Sequence, residues 1–435
     1  MKKELCVLLA CLFVVMIGVG VTLPVLPFYI ERLGLAEGSS RQSVVMHIAL
    51  LTGVFALGQL VFAPIWGRLS DRIGRRPLIL IGIGGYVISQ VFFGLATSLP
   101  LLYAARILGG ILSSATLPVA AACVADMTTE KKRGRGMAWL GTAVSLGFVV
   151  GPALSGGLSR TDLHINARFV HFRMDGFSVP FFAAALLGLL AFFAALRWLP
   201  ESLTAQMPRA TDEKTDWRQM LRRFAPLLGV ALAGQFGLAI FEAIFALYAQ
   251  TKFSYGPVEV GTVFVVCGLV MTVLQAGAVG FLSGRIREVH QIGAGFTLMG
   301  TSIMLLVLAR TPNSVLLLVG LLASGMAFIA PNLATLISKS GGSRHAGAAL
   351  GFQNTANSIG QAGGPLLGGV LFIWRINAPY LLTGALLIAV ALLIGLGLLN
   401  RPPALEITRD GKCHPDNRNA AAGNALGNYG RTINE

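Results

Sequence analysis

Apolar runs alternate with short polar stretches from the start of the chain to near residue 400, reading near 5–30, 44–66, 77–97, 101–125, 136–158, 178–199, 224–250, 258–283, 290–310, 314–338, 346–373 and 378–399. Each is close to or above the ~20 residues that cross a bilayer core. Backbone polar groups find no water in lipid, so each run is predicted to be a helix that satisfies its own hydrogen bonds. The pattern turns polar between 200 and 223, around Asp212, Glu213, Lys214 and Asp216. That predicts an N-terminal six-helix bundle over 1–199, a linker over 200–223 and a C-terminal six-helix bundle over 224–400. Residues 401–435, rich in Asn, Gly and Ala and without apolar periodicity, are predicted to be a disordered tail.

The two halves carry an internal repeat. Gly67-Arg68-Leu69-Ser70-Asp71-Arg72-Ile73-Gly74-Arg75-Arg76 returns in eroded form 213 positions later as Gly280-Phe281-Leu282-Ser283-Gly284-Arg285-Ile286-Arg287-Glu288-Val289. The same step takes Gly147, Gly151-Pro152 and Gly156 to Gly360, Gly364-Pro365 and Gly369, Pro118 to Pro331, and Gly134 to Gly347. One offset kept at several separate places marks a duplication, and duplicated apolar halves are the signature of a secondary transporter with its path between the repeats.

Composition agrees: 54% hydrophobic and 12% charged residues exclude an ordinary soluble globule, which carries about 25% charged residues. The net charge of +15 is a topology signal. With the N-terminus inside, the inner loops hold Lys3, Arg68, Arg72, Arg75, Arg76, Lys131, Lys132, Arg133, Arg135, Arg285, Arg287, Lys339 and Arg344, whereas the outer side keeps few, such as Arg32, Arg41 and Arg310. This asymmetry predicts a multi-pass membrane protein with both termini cytoplasmic and no nucleic-acid partner. Leu9-Ala10-Cys11 has the outline of a lipoprotein box, but the apolar run continues to Ile30, which reads as a first span. The five cysteines lie far apart and form no metal or redox spacing.

No Gly-x-x-x-x-Gly-Lys-Ser/Thr loop, His-Glu-x-x-His pair or Gly-x-Ser-x-Gly elbow occurs, so neither ATP use nor hydrolytic chemistry is expected, and no cofactor or metal. Of nineteen acidic residues, Glu242 is the one well inside an apolar run. A charged carboxylate at membrane depth costs at least a few kcal/mol, so burial favours its protonated form and lets it trade protons near neutral pH. It is the leading coupling candidate; the competing reading is a structural carboxyl that stays protonated. Gln235, two turns earlier on the same face, fits a polar stripe along a cavity. Phe236, Phe241, Phe245 and Tyr248 surround Glu242 and either cradle a flat or cationic ligand or face lipid. Arg106, an always-charged group in the fourth run, either has a partner or water inside or reaches the outer surface. Asp126, at the inner end of that run, is interfacial or pairs with an arginine of the 68–76 loop. Gln353, Asn357 and Gln361 recur at four-residue steps, with Asn354 beside the first, and either line a path or join helices.

Gly67-x-Leu69-x-Asp71-Arg72-x-Gly74-Arg75-Arg76 resembles the loop between helices 2 and 3 of the major facilitator superfamily. Gly147-x-x-x-Gly151-Pro152 with Gly156-Gly157 resembles the antiporter signature of its bacterial drug:proton exporters, and Pro24-Val25-Leu26-Pro27 their helix 1 motif. The resemblance implies an all-α membrane fold of twelve helices in two pseudo-symmetric six-helix bundles that rock about a central cavity. It implies an inner gate at Gly67, Asp71, Arg72, Gly74 and Arg75, with Asp71 near the start of helix 11 and Arg72 or Arg75 near Asp126, latching the outward-facing state. It implies that Arg106 assists proton transfer with Glu242. Gly147, Gly151, Pro152, Gly156 and Gly157 would pack helix 5 at the interface between bundles, as Gly364-Pro365 would pack helix 11. Three positions depart from the pattern: Gly284 replaces the second-half acid, Gly109 replaces the glutamine usual after the helix 4 arginine, and Asn332 stands where several relatives carry an acid.

The expected function is proton-coupled export, by a monomer, of lipophilic drug-like compounds, with Gln235, Phe236, Phe241, Phe245, Tyr248, Asn332, Gln353 and Asn357 around the substrate. The alternatives are a dedicated exporter of one metabolite, siderophore or sugar, and a lipid flippase or signalling protein without ion coupling. An enzyme ranks last, because no nucleophile and base pair stands out.

Overall fold

A computed structural model describes residues 3–128, 130–159, 165–166, 173–174, 176–202, 217–277, 282 and 285–397. The linker segment 203–216, the tail 401–435 and Gly280, Phe281, Ser283 and Gly284 of the second loop motif lie outside the described residues. The described chain is almost wholly helical; its one sheet is a two-residue antiparallel pairing of Ile165–Asn166 (β1) with Arg173–Met174 (β2).

The helices are α1 (Lys3–Ala36), α2 (Arg41–Ile73), α3 (Arg75–Gly94), α4 (Leu99–Leu112), α5 (Thr116–Met127), α6 (Glu130–Leu158), α7 (Val179–Trp198), α8 (Trp217–Phe253), α9 (Pro257–Ala276), α10 (Glu288–Leu305), α11 (Pro312–Trp374) and α12 (Ala378–Gly395). α4 and α5 form one span, joined by a 3-10 turn at Ser113–Ala115. Among the described residues, eleven spans are long and apolar enough to cross a membrane. The predicted tenth and eleventh runs are both contained in α11, whose 63 residues would measure about 95 Å if straight, three bilayer cores. It doubles back. A Cβ on Gly234 of α8 would lie 3.4 Å from Ile329, and one on Gly360 would lie 3.0 Å from the Phe236 nitrogen. Positions 329 and 360 therefore meet the same turn of α8, and the chain reverses between them.

Several helix starts are fixed by side chains. Ser40 accepts from the Ser43 N–H (3.2 Å) and Thr311 from the Ser314 N–H (3.3 Å). Two carboxylates do the same from far along the chain: Glu37 accepts from the Leu99 N–H at 2.9 Å, and Glu201 from the N–H groups of Arg75 and Arg76 at 2.8 and 3.1 Å. Each satisfies donors the helix cannot, and a negative charge there complements the helix dipole.

Two hydrophobic cores result. One gathers side chains from Leu5 to Leu199 together with Leu247; the other gathers Phe28 with side chains from Phe224 to Ile394. Large side chains such as Leu186, Phe193, Leu317 and Leu392 stand exposed on the outside, as lipid-facing positions do. The ends of the helices define two faces: a basic face carrying the 67–76 loop, and an opposite face where α1 meets the start of α2.

Candidate functional site: a cleft between the two cores

Near the opposite face the two cores interlock. Phe28 of α1 is buried in the second core, Leu247 of α8 in the first, and Gln250 donates to the Glu31 carboxylate at 2.6 Å. Small residues bring helices of the two halves together on either side. On α2 and α11, a Cβ at Gly369 would meet Ala49 at 2.7 Å and one at Gly53 would meet Leu366 at 3.2 Å. On α6 and α9, a Cβ at Gly261 would lie 2.9 Å from the Pro152 carbonyl. The α6–α9 contact continues to Gly268, where a Cβ would lie 2.9 Å from Val149, and beyond it toward the basic face the stripes separate. Gly141 continues the Pro152–Gly156 stripe of α6, and Gly351 continues the Ala362–Leu366 stripe of α11; a Cβ at either would meet nothing within 4 Å. Asn354 and Thr355 are exposed there. The cleft is open at the basic face and shut at the opposite one.

The glycine motif is used differently from the expectation. Gly147 and Gly151 pack on α1 of their own half, where a Cβ at Gly151 would lie 2.5 Å from the Ile17 carbonyl and 2.7 Å from Gly20. Pro152 and Gly156 are the members that face the other half. Gly157 has nothing within 4 Å and packs against no helix. The repeat behaves alike: Gly364 sits on α8, where a Cβ would lie 2.9 Å from Ala239, so the contact with the first half falls to Ala362, Leu366 and Gly369. The reason is helical phase: residues one apart point about 100° away from each other, so adjacent motif positions serve different neighbours.

Glu242 is half-buried on α8 among fully or nearly buried residues. It lies eight residues, about 12 Å of rise, below Gln250, next to Cys267 of α9. Among the described residues it makes no hydrogen bond or ion pair. Gln235 and Phe236, both half-buried, border Gly360 and Gly363 of α11. Four of the predicted cavity residues are instead structural. Phe241 and Phe245 are fully buried, their rings 5.0 Å apart and each about 6 Å from Phe264. Tyr248 is buried against Tyr380 at 4.5 Å and donates to Asn377 at 3.3 Å. Asn332 is buried and donates to Gln291 of α10 at 3.0 Å and to the Phe328 carbonyl at 2.8 Å. Their apolar rings and amide are satisfied by core packing and therefore leave the wall of the cleft. Gln353, buried, and Asn357, half-buried, fall on the α8-facing stripe of α11 that also carries Gly360 and Gly364.

Arg106 stays inside and does not reach the surface. It is 7% exposed, its Nε donates to the Leu51 carbonyl at 3.1 Å, and its guanidinium lies 4.3 Å from the centre of Phe55. It borders a cavity of about 20 Å³ with Tyr86, Ser89 and Gln90, room for one water. The Gln90 side-chain oxygen, buried and without a protein partner, faces this space. Among the described residues no carboxylate pairs with Arg106, and Glu242 lies in the other half.

At the basic face Arg75, not Arg72, is the organising cation. Its Nη1 donates to Asp71 and to Ser70, both at 2.5 Å, and its Nε to Asp126 at 3.1 Å. Arg72 is exposed. Gly74 has φ +115°, a conformation that favours glycine, and a Cβ there would push the Glu201 carboxylate aside. Gly67 has nothing within 4 Å. The latch expected to hold the outward-facing state is thus formed with the basic face open, because Asp71, Arg75 and Asp126 belong to one half and do not part when the halves move. Asp71, with 61% of its side chain exposed, retains capacity for a partner across the cleft. The 213-residue step carries this bridge into the second half with its signs exchanged: Arg75 and Asp126 become Glu288 and Lys339, which are also paired.

Sequence reasoning missed Glu201, Glu31 and Gln250. Glu201 follows Pro200 directly at the end of a span, a position from which an acid meets inner loops; Glu31 and Gln250 carry no local signal, since their meeting depends on how α1 crosses α8.

Comparison with known proteins agrees with this architecture. The family model of the Major Facilitator Superfamily matches residues 8–363 and again 278–413. Multidrug resistance protein 2 of Bacillus subtilis is 30% identical over 407 residues, 91% of this chain and 94% of that protein. Multidrug resistance protein 1 of the same organism is 31% identical, covering 90% and 95%. The quinolone resistance protein NorA of Staphylococcus aureus is 27% identical, covering 91% and 96%. Among solved structures, the human organic anion transporter MFSD10 superposes with a TM-score of 0.67 at 21% identity, covering 91% of this chain and 100% of that one. The peptide transporter POT superposes with a TM-score of 0.73 at 14% identity, covering 92% and 95%; at these identities the likeness concerns the fold.

Proposed function

The chain belongs to the major facilitator superfamily, and on that premise we propose that it is a proton-driven exporter of lipophilic, drug-like compounds that works by alternating access. The names of its bacterial relatives, multidrug and quinolone resistance proteins, support the cargo class. The positive-inside rule makes the basic face cytoplasmic, so the conformation described above is the one that loads cargo from the cytoplasm or inner leaflet.

The observation that carries the reading is Glu242, a carboxyl with no counter-ion among the described residues, half-buried on α8 beneath the shut end of the cleft. Charged, it is tolerated only while water or a cationic cargo reaches it; neutral, it can be enclosed in either conformation. Cargo and proton therefore compete for the same site, and each exchange returns one proton to the cytoplasm. A charge moving down 100 mV supplies about 2.3 kcal/mol. At about 150 mV one proton sustains a gradient of several hundredfold for a neutral cargo, counting about 1.4 kcal/mol per tenfold. Arg106 and the water-sized space beside Gln90 lie in the other half and set the polarity of α4 there.

The test uses everted membrane vesicles and a panel of lipophilic cations, quinolones and single metabolites. Glu242→Gln should fold normally, bind cargo and lose proton-driven accumulation. Unchanged accumulation by Glu242→Gln removes the carboxyl from coupling, and transport of one metabolite only would replace the drug-like cargo with a dedicated one.

A further inference from the structure

Between α1 and α7, on the outer surface and outside the cleft, lies an apolar groove of about 280 Å³. Val7, Cys11 and Val14 form one wall; Leu190, Ala194 and Trp198 form the other. Its single polar side chain is the Cys11 thiol, which is occupied, donating to the Ala191 carbonyl at 3.4 Å. The lining runs along α7 from Leu187 to Trp198, about 16 Å of helix rise. That matches the depth of one leaflet, about 15 Å. Trp198 ends the lining on the side of the basic face. There Lys3 lies 5.6 Å from the centre of the Trp198 ring, Arg197 is exposed on the next residue, and Arg76 is held to the Leu196 carbonyl at 2.6 Å. Glu4 on that turn of α1 and Glu201, which accepts from the Arg76 N–H, are the acids nearby, so Lys3, Arg76 and Arg197 leave the mouth with a net positive charge.

The geometry points to a binding site for one anionic phospholipid, its acyl chain in the α1–α7 groove and its phosphate among Lys3, Arg76 and Arg197. Apolar length selects a chain over a soluble anion, and the cationic mouth selects a charged headgroup over a zwitterionic one. Trp198, placed where chain meets headgroup, has the amphipathic ring that belongs at a membrane interface. Because α1 also packs against α6 and carries Glu31, the lipid would lean on an element that takes part in closing the opposite face. The site is independent of cargo and of Glu242.

Tryptophan quenching by phospholipids with brominated acyl chains tests it in the full chain in detergent, taking the difference between the native protein and Trp198→Phe to isolate the Trp198 signal. Brominated phosphatidylglycerol should quench Trp198 at a lower mole fraction than brominated phosphatidylcholine, by about fivefold for each basic side chain engaged, the equivalent of about 1 kcal/mol. Lys3→Gln with Arg197→Gln should abolish the headgroup preference while leaving quenching by phosphatidylcholine unchanged, a readout that misfolding would not give. Ala194→Phe, filling the groove, should remove both. Equal quenching by the two lipids in the native protein overturns the site, and so does relief of quenching by a lipophilic cation in proportion to its transport, which would make the groove a cargo port.

Discussion

The Arg75–Asp126 pair and the Glu288–Lys339 pair occupy equivalent places and differ in what their loss should cost. The first has side chains only 9% and 8% exposed; Arg75 keeps Asp71 when Asp126 is removed, so the loss exceeds that of a surface pair but stays below the about 3–5 kcal/mol of a fully stranded buried charge. The second is 24% and 64% exposed and should contribute no more than about 1 kcal/mol. Asp126→Asn is therefore expected to lower the unfolding temperature in detergent by several degrees, and Lys339→Gln to leave it nearly unchanged; the reverse order in a thermal shift measurement would refute this assignment. At Gly74, whose φ of +115° an L side chain rarely adopts, Gly74→Ala should cost at least about 1–2 kcal/mol and displace Glu201 from the start of α3. At this scale the sequence is informative about kind and poor about direction. Glu242 stands out because an acid in an apolar run is rare, and it lies inside. Phe241, Phe245 and Tyr248 share its helix, yet a one-dimensional pattern does not say which side of α8 meets α9 and α12; the pattern points them at the cavity, and they belong to the core.

Long apolar runs make most helices legible, because length and hydrophobicity are local properties. What fixes their ends is not local: Glu37 reaches Leu99 and Glu201 reaches Arg75, over separations no sequence window spans. The joining of two runs into α11 is hidden because the polar stretch from Lys339 to His345, with Gly341-Gly342, reads as a loop between spans although the backbone stays helical through it. The packing of α6 on α1 gives an element-scale prediction. Backbones approach at Gly151 so closely that a Cβ would lie 2.5 Å from the Ile17 carbonyl. Gly151→Leu should force the helices apart, costing at least about 1–3 kcal/mol and abolishing transport, while Gly157→Leu, in open space, should leave both intact. A resistance assay beside a measure of protein level in the membrane separates the two.

For the whole molecule, the duplication in the sequence announces two halves, and the structure contains two cores that exchange Phe28 and Leu247 where they touch. Which end of the cleft is shut is not written in the sequence, because the same residues must support both arrangements. With the native cysteines replaced, Glu31→Cys and Gln250→Cys joined by a short bifunctional thiol reagent should hold the opposite face shut and stop transport, leaving cargo binding from the basic face. Continued transport after complete cross-linking would show that this end does not open. The shut end is made of glycine contacts, a buried ring and one amide–carboxylate bond, whereas the open end carries the exposed charges. Raising ionic strength should consequently weaken association at the basic face more than at the opposite face, and shift the population toward the arrangement seen here.

The exchanged signs of the two equivalent bridges bear on how a duplicated chain avoids assembling itself wrongly. If α3 settled beside α11 in place of α5, Arg75 would confront Lys339; if α10 took the place of α3, Glu288 would confront Asp126. Either mistake sets like charges face to face, so the two bridges bias each repeat toward its own sibling helices although the two share an ancestral plan.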